Sequence, residues 1–188
     1  MHINKMGFVS SASHPMCHRG CVHIAQNNED AFFAALDKLL RMHNKGGYRI
    51  KTIGCDREFK SVVETVSDEL GVEMDCANAQ DHVGPAERNN RTLKETMRTG
   101  YHRSGCATIP KAMIIALAEH SADTLNVFPA KHGISEHHGP ETIVTRRMLN
   151  YTKHCQHEFG TCAQAHHEPR KKNGVKERAS DLSTPYAQ

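Results

Sequence analysis

Residues 49–59, RIKTIGCDREF, constrain the fold of this chain more than any other stretch. β-formers alternate from Arg49 to Ile53, Gly54-Cys55 closes the run, and Asp56 follows. An acid at the C-terminal end of a strand lies where a parallel sheet presents its functional groups. A second acid, Glu87, follows Gly84-Pro85 and opens a charge-rich helical run, so it falls in the first turn of a helix. A strand-end Asp and a helix-start Glu with thirty residues between them can converge on one divalent cation. Their hard oxygens suit Mg²⁺, which takes few protein carboxylates and completes its shell with water and phosphate. Each acid also has a plainer reading: Asp56 as the N-cap of the following helix, Glu87 as a first-turn Glu on the helix dipole.

The rest of the chain is read as an α/β domain. GFVSS and CVHIA are short strands, the second and third of a hairpin-built sheet. Residues 28–45 form an amphipathic helix capped by Asn28, with Phe32, Leu36, Leu39 and Leu40 as its apolar stripe and Gly46-Gly47 as its stop. Tyr48 to Cys55 is the central strand and Glu58 to Leu70 a second helix, with Phe59, Val62, Val63 and Val66 inward. Val72 to Cys76 is a further strand, ANAQDHVGP a polar loop, and Pro85 to His102 and Pro110 to Asn126 two helices opened by proline. Beyond Phe128-Pro129 the chain is irregular, with a short polar helix near 141–149. From His166 it is polar, basic and poor in large apolar residues, as a mobile tail is.

Composition narrows the function classes. The longest apolar run, Ala112 to Ala118, is too short to span a bilayer, and no basic segment leads into an apolar one at the N-terminus. Seven cysteines without a CxxC pair fit reduced thiols rather than a disulfide framework. These features predict a protein that is neither secreted nor membrane-bound. The net charge of +3 says little, but its distribution says more. Residues 61–84 carry six acids and no Lys or Arg, whereas 85–103 carry Arg88, Arg91, Lys94, Arg98 and Arg103 against Glu87 and Glu95. A basic helix beside an acidic flank suits a phosphate backbone approaching a metal site. Arg91, Lys94 and Arg98 share the helix face of Glu87. Arg88, Asn90, Arg91, Lys94 and Arg98 are therefore the candidate DNA contacts, although a charge run is more often only a solvated face. Asn89 and Asn90 are further candidates to orient a phosphate or the Glu87 side chain. With no Trp and few aromatics, base stacking is not expected to dominate.

Four segments, CDREF, HVGPAERNNRTLKE, LNVFPAKHGIS and NYTKHC, occur in the order found in copia-type LTR retrotransposons, and residues 3–165 resemble the integrase region of those elements. The resemblance implies a ribonuclease-H-like α/β fold: a mixed sheet flanked by helices, here with the first strand missing or incomplete. It divides the chain into a truncated catalytic core (1–128), an irregular or helical extension (129–165) and a basic flexible tail (166–188). It implies an Asp, Asp, Glu triad with two metal ions, Asp56 matching the second Asp and Glu87 the Glu, and their spacing is slightly shorter than is usual in the family. The first Asp of such elements lies a few residues before the segment matching INKMGFVSS, which places it ahead of Met1 and leaves the two-metal site incomplete.

The implied function is DNA integration, by metal-dependent polynucleotidyl transfer with Mg²⁺ or Mn²⁺. Water first trims the element's DNA end, and the freed 3′-hydroxyl then attacks target DNA. The implied partners are element-end and target DNA and further copies of the chain. The implied location is the nucleus, or a cytoplasmic particle before integration. The alternative is a folded, catalytically inactive nucleic-acid-binding remnant of a decayed element, and a plain ribonuclease-H-type nuclease is a weaker third reading.

Two groups of soft and imidazole ligands complete the inventory: His14, Cys17, His18, Cys21 and His23, then His154, Cys155, His157 and Cys162. Neither has the paired spacing of a structural zinc site, and strand alternation splits the first between two faces. His82, just before Glu87, is the histidine expected nearest a bound phosphate.

Overall fold

The computed structural model describes residues 1–77, 84–131 and 133–161. Its centre is an antiparallel pair, β2 (Met6–Ala12) and β3 (Arg19–Ile24), in register from Gly7↔Ile24 to Ala12↔Arg19. Strand alternation sends Phe8 and Cys21 to one face and Val9 and Val22 to the other, so both faces must be covered. Phe8 and Cys21 pack with Leu93, Met97, Ile114, Leu117, Ala118 and Ala122. Val9 and Val22 pack with Phe32, Leu36, Leu39, Leu40, Val62, Val66 and Val72. The result is three layers, helix on sheet on helix. Each fully buried Leu, Val or Phe contributes about 1.5–3 kcal/mol to holding them together.

β1 (His2–Ile3) pairs with β2, His2 opposite Gly7 and Ile3 opposite Met6. Asn4 and Lys5 turn the chain with φ of 47° and 65°, the left-handed pair that a tight two-residue hairpin needs. Met1 and Phe8 exchange both backbone hydrogen bonds at 2.8 Å, which carries the ladder to the first residue. β1 forms the edge of a three-stranded sheet ordered β1-β2-β3.

Helix α1 (Glu29–Lys45) starts where expected, because the Asn28 side chain accepts from the Ala31 N–H at 3.0 Å. It lies close on β3: a Cβ added at Gly20 would collide with the Leu39 side chain. Strand β4 (Thr52–Cys55) is shorter than the expected Tyr48–Cys55 and is not central; among the described residues it pairs, in parallel, with β5 (Glu73–Cys76) alone, in a separate two-stranded sheet. A strand extends only as far as its partner, and β5 begins after Gly71 has turned the chain at φ 62°. The segment read as one helix after Asp56 starts as a 3-10 turn (Arg57–Val62) and becomes α2 (Val63–Leu70).

Helices α3 (Gly84–Arg103) and α4 (Lys111–Val127) cover the second face, with Pro110 capping α4 from outside. The expected helix at 141–149 is α5 (Pro140–Thr145), ended by Arg146 at φ 57°, and a single turn, α6 (Tyr151–His154), follows. The Tyr48 hydroxyl donates to the Ile143 carbonyl at 3.2 Å, and the Arg146 guanidinium lies 5.8 Å from the Tyr48 ring centre, so α5 is tied to the end of α1. The tail 166–188 lies outside the described residues.

Candidate metal and nucleic-acid site

Asp56 leaves β4 in extended conformation, at φ −74° and ψ 162°, and its exposed side chain makes no capping hydrogen bond to the turn that follows. Its backbone carbonyl does the local work, accepting from the Phe59 N–H at 3.1 Å. The carboxylate is not used as a helix cap and remains on the surface at the strand end. Glu87 lies in the first turn of α3 and is exposed.

From Glu87 a shallow groove of about 440 Å³ runs along α3, lined by Glu87, Asn90, Arg91, Lys94, Glu95 and Arg98. Four of the five residues expected to touch DNA therefore share a wall with Glu87. Arg88 does not. It is exposed beside the groove, and its Nε–H donates to the Gly84 carbonyl at 3.4 Å. Arg91 bonds Glu95 one turn on at 3.0 Å, an exposed pair whose contribution to stability is small.

The two asparagines set the height of α3 on the sheet. Asn90 Oδ1 accepts from the Ser10 hydroxyl, and Asn89 Nδ2 donates to the Ser11 carbonyl at 3.3 Å. Asn89 is buried at 5% exposure, and its Oδ1 has no partner among the described residues. Both amides thus grip β2, buried Asn89 from the inner side of the helix and Asn90 from the edge of the groove.

Burial lowers the Met1 ammonium below its usual pKa, Glu58 opposes the shift, and Lys94, Cys21 and Asp56 act more weakly. Among the described residues, no group of three or more His, Cys, Asp or Glu is placed to hold a metal ion. Asp56 and Glu87 are both exposed carboxylates, the hard-oxygen donor type of Mg²⁺, which binds through one or two carboxylates and keeps several waters.

No family model and no curated protein matches the sequence. Among solved structures, the crystal structure of the catalytic core domain of BIV integrase superposes with a TM-score of 0.56 at 17% identity, over 83% of this chain and 93% of that one. The chain has the fold of an integrase catalytic core. Within this integrase-like fold Asp56 ends a strand of the smaller sheet, and Glu87 heads the helix packed on the larger one.

The histidine-rich stretches do other work. Cys21 is buried in the core, its thiol pushed up to about 12, chiefly by burial. The His23 ring meets Phe8 edge-on, and His18 turns inward. His82 and Cys162 lie outside the described residues.

Sequence reasoning missed a buried cluster. His18, at 1% exposure, contacts Glu141 Oε2 through Nε2 at 3.2 Å and meets the His43 ring edge-on at 5.1 Å. Burial, with His18 adding to it, holds His43 down to about 4. Burial, with Glu141 next, raises the Asp123 carboxyl above its ordinary value. These partners come from widely separated segments, so no local pattern announces them.

Proposed function

We propose that this chain is the DNA-joining core of a retrotransposon integrase, of the copia type its motifs resemble, which acts on element ends and target DNA with Mg²⁺ or Mn²⁺. One observation carries the reading. In an integrase-core fold, α3 carries a groove headed by Glu87 and walled by Arg91, Lys94 and Arg98, and Asp56 stands uncapped at the end of β4. The proposal extends to a homo-oligomer working on nuclear DNA, since the substrate is chromosomal.

Asp56 and Glu87 would hold the metal, which supplies Lewis acidity to a phosphoryl oxygen when bound. The chain's own contribution is positioning. Arg91, Lys94 and Arg98 stand on successive turns of one helix face, so their charges can follow the phosphates of one strand. Glu95, bonded to Arg91, holds that guanidinium along the groove. Asn89 and Asn90 fix the whole helix against β2, so a strand seated on α3 has a set height relative to Asp56.

A second reading, a folded chain that binds DNA without joining it, rests on the basic groove of α3 alone. Fluorescence anisotropy with a labelled duplex, followed by a strand-transfer assay in Mn²⁺, tests both. Three neutralised phosphates predict a loss of affinity of roughly 30–50-fold between 50 and 200 mM salt. Binding together with joined product supports the enzyme, binding alone supports the second reading, and salt-independent or absent binding refutes both.

A further inference from the structure

Cys55 and Cys76 are the last residues of β4 and β5 and stand directly opposite each other in the parallel register. In a parallel pair, opposite residues point their side chains to the same face. Strands lie about 4.8 Å apart, inside the Cα separation that a disulfide spans without backbone movement. The two sulfurs already touch, at 2.8 Å, and both cysteines are free thiols. The Ala77 N–H donates to the Cys55 carbonyl at 2.9 Å, so the ladder holds one residue beyond the pair and keeps the strand ends from splaying.

We propose that Cys55 and Cys76 form a reversible modification site, a vicinal strand-end dithiol that a peroxide oxidises to a disulfide. The inference rests on strand register and thiol contact, independently of any DNA chemistry. The two sulfurs have distinct roles. Cys55 is buried at 7% exposure and shielded from an oxidant in solution. Cys76 is partly exposed and meets the oxidant first. Its sulfur, as thiolate, attacks one peroxide oxygen; an S–O bond forms, the O–O bond breaks, and the departing hydroxide takes up a proton as water. The Cys55 sulfur then attacks the Cys76 sulfenic acid; the S–S bond forms, the S–O bond breaks, and the leaving hydroxyl departs as water with the Cys55 proton. Two thiols and one hydrogen peroxide give one disulfide and two waters. An added dithiol reverses the change by exchange.

The location gives the modification its consequence. Cys55 immediately precedes Asp56, and Cys76 ends the strand whose continuation leads to α3 and Glu87. A crosslink there staples together the bases of the two acid-bearing segments and closes a loop between cysteines 21 positions apart. Loop closure of that size raises the unfolding midpoint by about 5–10 °C in a chain of this length.

The test uses the full chain, reduced, freed of reductant and treated with stoichiometric hydrogen peroxide. Remaining thiols are then blocked with N-ethylmaleimide in denaturant and the protein is mapped by peptide mass. The expected product is a Cys55–Cys76 linked peptide, lighter by two hydrogens and reversed by dithiothreitol, while Cys21, Cys106 and Cys155 carry the maleimide. The unfolding midpoint should rise on oxidation of the wild type and stay put in Cys76→Ala. The proposal is overturned if Cys55 is recovered fully alkylated, or if Cys76 is found linked to Cys17, Cys106 or Cys155. Oxidation of Cys76 to the sulfinic acid with Cys55 intact overturns it equally. The wild-type map decides the matter even if a variant fails to fold.

Discussion

The Asn126 side chain closes a pair of hydrogen bonds on the backbone of Arg19. Its Oδ1 accepts from the Arg19 N–H at 2.8 Å, and its Nδ2 donates to the Arg19 carbonyl at 2.7 Å. These are the outward-facing groups of an edge strand, and Asn126, fully buried in α4, satisfies them as a neighbouring strand would. Asn126→Ala leaves a donor and an acceptor buried without partners and should cost about 2–4 kcal/mol. A urea titration measures this, and an unchanged midpoint would show that the pair is dispensable.

A second prediction concerns acid. The folded chain keeps His43 neutral down to about pH 4, whereas the unfolded chain protonates it near 6.5. The folded value is the lower one, so stability is whole above pH 6.5 and drains away as pH falls from there toward 4. The loss should reach about 2 kcal/mol by about pH 5. Urea midpoints at about pH 7 and about pH 5 should therefore differ less in His43→Gln than in wild type. Equal differences would mean that another group governs the acid limb.

The groove makes a directional prediction about DNA. Lys94→Glu or Arg98→Glu, on the groove wall, should weaken duplex binding about tenfold or more, and the triple reversal with Arg91→Glu should abolish it. Arg88→Glu, beside the groove, should change affinity by less than about threefold. If Arg88 matters as much as Lys94, DNA follows net charge and not the groove.

The elements whose signals are local were legible in advance. Asn28 capping α1, the stripe Phe32, Leu36, Leu39 and Leu40, and Glu87 in the first turn of α3 each follow from a few neighbouring residues. The position of Asp56 at a strand end was legible too, because alternation stops at Cys55. What escaped depends on partners far along the chain. β4 is cut to Thr52–Cys55 by where β5 can start, and β1 has too few residues to show alternation. The Asn126 clamp and the His18–Glu141 contact join residues 107 and 123 positions apart. The Cys55–Cys76 contact exists only once the parallel register is known. Asn89 and Asn90, read as candidates to orient a phosphate or the Glu87 side chain, hydrogen-bond Ser11 and Ser10 of β2, partners that nothing in AERNNRT announces.

The central claim is that Asp56 and Glu87 together hold a divalent ion beside the α3 groove. Electron paramagnetic resonance of Mn²⁺ in the presence of duplex DNA tests it most directly, since bound ion is read as loss of the free-ion signal. The account predicts bound Mn²⁺ for the wild type, a loss of affinity of about tenfold or more for either Asp56→Asn or Glu87→Gln, and no change for Asp75→Asn. Undiminished Mn²⁺ binding by the double variant Asp56→Asn/Glu87→Gln would contradict the account.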